Sequence, residues 1–254
     1  MFKFDFQEFF LSFFQFLKKL LLAHWGSLVL LLIGVYLPLQ IFGLLALDLR
    51  ENEGGFPFDL PILVTIHTSA QPYLDAIALR LTKLGSVWTA SPIVATIGLI
   101  LLFLKRWRSL IYLLTTTIGS AIINYTAKVI MHRVRPQLWL SPAPEFDYSF
   151  PSGHAMTSMT LVAVLVILIW GSVWSWIAII LGGIFVVVIA WTRLYLGVHF
   201  PSDIIAGWLV SIAWAIGVSL IIKPNLTKVI PIPEIAPVEE TSLLPEETQL
   251  VGED

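Results

Sequence analysis

The sequence predicts an all-α integral membrane protein: a six-span transmembrane helical bundle, preceded by an N-terminal interfacial helix and followed by a disordered C-terminal tail. Three observations carry that expectation. Apolar residues fill 57% of the 254 positions and charged residues only 13%, where a soluble domain carries about 25% charged. Mean hydropathy is +0.86. Apolar stretches of about 20 residues, the length that crosses a hydrocarbon core roughly 30 Å thick, recur along the chain.

Residues 1–25 are rich in Phe but interrupted by Lys3, Asp5, Glu8, Lys18 and Lys19. No small-residue cleavage site follows, so the segment reads as an amphipathic helix in the headgroup layer rather than a signal peptide. The membrane domain is placed at 26–222, with spans near 26–47, 86–104, 109–131, 155–172, 174–192 and 203–222; the fourth is the shortest but carries no charge. The connection 50–85 has helical periodicity with interspersed charge and is expected on the membrane surface. From 223 to 254 the chain turns Pro- and Glu-rich, a composition that buries too little apolar surface to offset its ordering entropy.

Short-loop Lys and Arg favour the cytoplasm. Lys18 and Lys19, the Lys105-Arg106-Trp107-Arg108 cluster, and Lys223 with Lys228 share one side in a six-span topology, which places both termini in the cytoplasm. A multi-pass protein of the plasma membrane is the expectation. The ten tryptophans read as interface anchors. A net charge of −2 with no basic face excludes nucleic acid as a partner, and the absence of cysteine excludes disulfides and thiolate metal sites.

Three polar clusters fall on the opposite, extracytoplasmic face: Lys128 to Pro136, Phe150 to His154, and Thr192 to Asp203. Basic residues near a bilayer cost about 2.5–3.5 kcal/mol each at the centre and less toward an interface, so a group of them implies an anion. Lys128, Arg135 and Arg193 suit a phosphoryl group, the arginine forks matching its oxygens. Ser152 and Gly153 lie at a loop-to-helix junction, where N–H groups attract anions and glycine admits close approach. His199 and Asp203 are four residues apart, so a helix starting near Phe200 and Pro201 lets the carboxylate hold one imidazole nitrogen while the other attacks phosphorus. His154 is then the general acid for the leaving oxygen and the base for water. The side chains supply the positive charge, so no metal and no cofactor is called for.

The patterns K-x6-R-P, P-S-G-H and T-R-x5-H-x3-D, running in that order from Lys128 to Asp203, resemble the signature motifs of the type 2 phosphatidic acid phosphatase family. That family shares its site with vanadium haloperoxidases and bacterial acid phosphatases. The resemblance implies a phosphohistidine on His199 partnered by Asp203, a general acid at His154, and phosphate contacts from Lys128, Arg135, Ser152, Gly153 and Arg193. It departs in one place: Thr192 stands where serine is usual, and a hydroxyl is kept. The substrate this implies is a lipid phosphate or diphosphate whose tail stays in the bilayer.

Residues beside the motifs receive plainer readings. Arg133 is read as snorkelling to water, His132 as an exposed or packing side chain, and His24 and His67 as interfacial packing. Glu145 and Asp147 are read as solvated loop acids. The main alternative function is a phosphotransferase that passes the phosphoryl group from His199 to a lipid or sugar hydroxyl. A sensor without turnover is disfavoured because both histidines and the aspartate are present.

Overall fold

The computed structural model describes residues 6–51 and 55–224. Every regular element among them is helical. Helix α1 (Phe6–Leu31) passes through a π-helical turn at Leu32–Tyr36 into α2 (Leu37–Glu51). The π turn, closed by Leu37 N–H on the carbonyl of Leu32, lies directly before Pro38, which has no N–H to donate. Gly34 also lets Ile216 close in, since a Cβ there would lie 2.7 Å from Ile216 Cδ1.

The expected break between an interfacial helix and the first span is not present. Residues 18–27 contain no residue stronger than Gly26 to stop a helix, and Lys, Leu and Ala favour one. The resulting helical run is roughly 70 Å long, well beyond one bilayer crossing. The 225–254 tail lies outside the described residues.

The connection expected on the surface forms two short helices, α3 (Asp59–His67) and α4 (Pro72–Thr82), joined by a turn. A 3-10 turn at Lys83–Gly85 leads to α5 (Val87–Phe103), whose N-terminus is capped by Ser86. Helix α6 (Trp107–Met131) ends where His132 adopts a left-handed conformation. Helices α7 (Gly153–Leu168), α8 (Val173–Tyr195) and α9 (Pro201–Ile222) complete the bundle. Five helical stretches among the described residues are long and apolar enough to cross a membrane, and α7 is the shorter sixth.

Helix α7 is the central one, packed against α5, α6, α8 and α9. This places the shortest of the apolar helices inside the bundle, where Ser158 and Thr160 are buried against protein. Thr160 meets Ser120 of α6 at 2.8 Å, and the carbonyl of Met156 accepts from Ser211 of α9 at 3.3 Å. Close approach of α9 depends on small residues, Gly207 lying against the carbonyl of Ser152 and Gly119 of α6 against Trp214. Connectivity brings the end of α6, the start of α7, the end of α8 and the start of α9 to one end of the bundle.

Candidate active site

Lys128, one turn from the end of α6, is 8% exposed. After His132 the chain leaves the helix and runs as an irregular loop to Ser152, passing over the end of the bundle. Trp139 anchors this loop: its indole fills the space that a Cβ on Gly197 would need, and it stacks on His67 with ring centroids 3.7 Å apart. His67 thus packs, as the sequence suggests. His132 is exposed, its ring edge-on to Tyr148.

Ser152 caps α7, its hydroxyl accepting from Ala155 N at 3.4 Å, while its own N–H donates to the carbonyl of Asp203 at 3.1 Å. It is fully buried, so its backbone N–H is committed to joining α7 to α9. Gly153 and His154 form the first turn of α7, where N–H groups have no carbonyl partner within the helix. Thr192 returns its hydroxyl to the carbonyl of Ile189 within α8.

His199 lies in the short α8–α9 connection, after a turn in which Gly197 has φ +68°. The imidazole is fully buried. Its Nδ1 lies 3.3 Å from Asp203 Oδ2 and 3.4 Å from Ser149 Oγ, and its Nε2 lies 2.9 Å from an Arg135 guanidinium nitrogen. Arginine can only donate, so Nε2 carries the lone pair and Nδ1 the proton that faces the carboxylate. Burial, and then the positive charges of Arg135 and Arg193, push the His199 imidazole well below its ordinary pKa. The lone pair of Nε2 therefore faces the cations. Asp203, the third residue of α9, also accepts from Phe200 N at 2.8 Å, so helix capping and ring orientation share one carboxylate.

Arg135 is fixed by the carbonyls of Val198 at 2.7 Å and Asp147 at 2.8 Å. Arg193 is 1% exposed and donates to Thr82 Oγ1 at 2.7 Å. The two guanidiniums meet on Glu145, which accepts from Arg135 at 2.7 Å and is paired with Arg193. His154 Nδ1 lies 3.9 Å and His199 Nε2 lies 3.8 Å from the same carboxylate. Burial pushes the Glu145 carboxyl up, but the surrounding positive charges, Arg193 foremost, outweigh it and hold it below the usual range. Asp147 pairs with both Lys128 and Arg135; burial opposes its ionisation, yet those hydrogen bonds and charges bring its pKa down to about 2. Glu145 is thus not the solvated loop acid that the sequence suggests, whereas Asp147 is exposed as that reading has it but is also paired.

Lys128, Arg135, Gly153, His154, Arg193, His199 and Asp203 are thus brought to one spot, and Ser152 lies directly beneath it. Arg133 differs from its reading as a water-facing side chain. Its guanidinium donates to Ser202 Oγ at 2.7 Å and to Asp59 at 2.7 Å, pairs with Asp203, and lies 4.2 Å above the Phe200 ring. Asp59, Ser149 and Ser202 escaped sequence reasoning altogether. The one available signal was the two-residue spacing of Arg133 and Arg135 before Pro136, because proline favours extended chain in which alternate residues share a side.

An apolar groove of about 840 Å³ runs between α5, α6 and α7. It shares Val87, Asn124, Gly153 and Thr157 with a smaller polar pocket of about 220 Å³, which contains Lys128, Glu145, Asp147 and His154. Asn124 holds the junction by donating to the carbonyl of Pro151 at 3.1 Å. Among the described residues no group of three or more His, Asp or Glu side chains is arranged to hold a metal ion.

Residues 109–226 match the sequence model of the PAP2 superfamily. An undecaprenyl-diphosphatase of Sulfolobus acidocaldarius is 30% identical over 70% of this chain and 84% of that protein. Phosphatidylglycerophosphatase B of Bacillus subtilis is 29% identical over 60% of this chain and 85% of its own length. The crystal structure of a transmembrane PAP2 type phosphatidylglycerolphosphate phosphatase from Bacillus subtilis superposes with a TM-score of 0.65 at 25% identity, covering 73% of this chain and 94% of that one.

Proposed function

The chain belongs to the PAP2 superfamily, and on that basis we propose that it hydrolyses the phosphoester or phosphoanhydride of a membrane lipid through a phosphohistidine on His199, without a metal ion. The observation that carries this reading is the position of Glu145. A two-oxygen anion already sits where Arg135, Arg193, His154 and His199 converge, and its oxygens stand in for those of a phosphoryl group.

In the reaction the substrate phosphoryl group takes the place of that carboxylate. Nε2 of His199 attacks phosphorus, forming a P–N bond as the bond to the leaving oxygen breaks, and His154 supplies the leaving oxygen with a proton. Asp203 stabilises the charge that develops on the ring. Lys128, Arg135, Arg193 and the first-turn N–H groups of α7 stabilise the negative charge on the equatorial oxygens. Water, giving its proton to His154, then attacks phosphorus, and the P–N bond breaks to release inorganic phosphate and restore neutral His199.

The juxtaposed groove supports a lipid substrate, with the chain in the apolar space between α5, α6 and α7 and the phosphate in the polar pocket. Undecaprenyl diphosphate and phosphatidylglycerol phosphate, the substrates named by the relatives, head the candidates. The Lys and Arg distribution supports an extracytoplasmic site and cytoplasmic termini in the plasma membrane.

The test is phosphate release by the purified, detergent-solubilised protein. Phosphatidic acid, phosphatidylglycerol phosphate, a polyprenyl diphosphate and a water-soluble phosphomonoester would be compared in EDTA, with His199→Ala as control. Turnover of one lipid class that persists in EDTA and disappears in His199→Ala is the expected result. A strict divalent-metal requirement would exclude the metal-free scheme, and equal silence of both proteins on every lipid would shift the reading to phosphotransfer.

A further inference from the structure

Asp59 is a buried carboxylate that the reaction outlined above does not use. It is 1% exposed, at the first turn of α3, 140 residues before the nucleophile in a segment outside all three motifs. Its oxygens accept from Ser202 N at 3.0 Å, Ser202 Oγ at 2.7 Å and Arg133 at 2.7 Å. The other guanidinium nitrogen of Arg133 reaches Ser202 and Asp203, so the arginine lies between two carboxylates that are each fully or almost fully buried. Burying a charged group costs several kcal/mol unless partners compensate it. A three-charge chain assembled here from α3, the α6–α7 loop and α9 therefore needs a reason beyond stability. The backbone makes room for it: Gly55 has φ +70°, and a Cβ there would lie 2.8 Å from the Arg133 guanidinium.

We infer that Asp59 and Arg133 are positioning residues for His199, a relay Asp59–Arg133–Asp203–His199 that sets the orientation and effective charge of the aspartate behind the nucleophile. This rests on the reading of His199 as the nucleophile. Bound to Arg133 alone, Asp203 would have most of its charge drawn away from the ring. Asp59 takes up part of the arginine's charge and leaves Asp203 a stronger partner for Nδ1–H. The fork geometry is required, because only a guanidinium spans both carboxylates and Ser202 at once. The charged groups facing His199 are Arg135 and Glu145 from the loop, Arg193 from α8, Lys128 from α6, His154 from α7 and Asp203 from α9. None of these residues is itself replaced in the Asp59 and Arg133 variants.

The test uses the full chain in detergent and whichever of polyprenyl diphosphate or phosphatidylglycerol phosphate proves to be turned over. Asp59→Asn is expected to lower kcat by about 10- to 100-fold, the range seen when a group that orients a ligating histidine is removed, with KM little changed. The acid limb of its kcat/KM profile should move to lower pH, because Arg133 then acts on Asp203 and His199 without its counter-charge. Arg133→Gln should move the limb the other way, leaving two carboxylates without their cation. The Asp59→Asn/Arg133→Gln double variant should return it toward the wild-type position, with a kcat no lower than that of Arg133→Gln. A structural role would reduce folded protein without these opposed, cancelling shifts. If Asp59→Asn does not fold, Arg133→Lys carries the test: it keeps the charge but reaches one carboxylate only, so kcat should fall at constant KM. Wild-type kcat and acid limb in Asp59→Asn, or wild-type kcat in Arg133→Lys, overturn the proposal. His199→Ala run alongside separates the two readings. Turnover surviving there removes the nucleophile itself, whereas an inactive His199→Ala beside an unimpaired Asp59→Asn removes only the relay.

Discussion

At the scale of single residues, the proposed chemistry turns on the tautomer of His199. Arg135 on one side can only donate and Asp203 on the other can only accept, which leaves the lone pair on Nε2. Asp203→Asn would offer Nδ1 an amide in place of a carboxylate, and kcat should fall on the order of 100-fold or more with apparent affinity largely kept. Steady-state kinetics on the preferred lipid would show it, and near-normal rates would remove Asp203 from the mechanism. The pH dependence follows from the depressed His199 pKa. Protonated His199 cannot attack, and its pKa lies below the ordinary value of about 6.5, so the acid limb of kcat/KM is expected below that pH. Glu145 gives a further expectation. Because its carboxylate occupies the anion site, Glu145→Gln should tighten inhibition by inorganic phosphate, by about tenfold if the occupied state dominates. Unchanged or weaker inhibition would mean that the carboxylate assists binding instead of competing with it.

At the scale of elements, four helix ends and one loop have to be held in register. Ser152 joins α7 to α9 through the Asp203 carbonyl, and Arg193 joins α8 to the end of α4 through Thr82. The loop over the site depends on Trp139 packed against Gly197, which has φ +68°. Gly197→Ala introduces both a strained φ and a Cβ 2.5 Å from the indole, and should destabilise the site by about 1–3 kcal/mol. A lower thermal midpoint together with weakened phosphate inhibition would report it; an unchanged midpoint would show that the indole yields freely. Most of these elements were readable in the sequence, since hydropathy located the five helices long and apolar enough to cross a membrane and the shorter α7, and the 50–85 segment was recognised as helical. The continuity of α1 through residue 25 was not, because the change from charged to apolar composition coincides with Gly26-Ser27, residue types that suit a helix boundary but do not enforce one as proline would.

At the scale of the molecule, the apolar groove meets the polar pocket at Gly153 and Asn124, which on the proposed function gives a lipid tail and its phosphate adjoining sites. Gly98 lines the groove with ordinary clearance from Leu110 and Leu113. Gly98→Phe should therefore raise KM for a long-chain lipid phosphate and leave a water-soluble phosphomonoester unaffected; equal effects on both would place the tail elsewhere. The sequence by itself determined the class of fold and the pairing of His199 with Asp203 on which the proposed chemistry rests. Apolar run length reports transfer into lipid, and the i, i+4 spacing of His199 and Asp203 is a local property of a helix start. Tertiary structure alone decided that Asp59 meets Arg133 across 74 positions of chain, and that Glu145 enters the cluster of cations. The reason is that charge pairing depends on distance in space and on burial. Neither can be read from the residues flanking a lone arginine or a loop glutamate, which look alike whether they end in water or in the site.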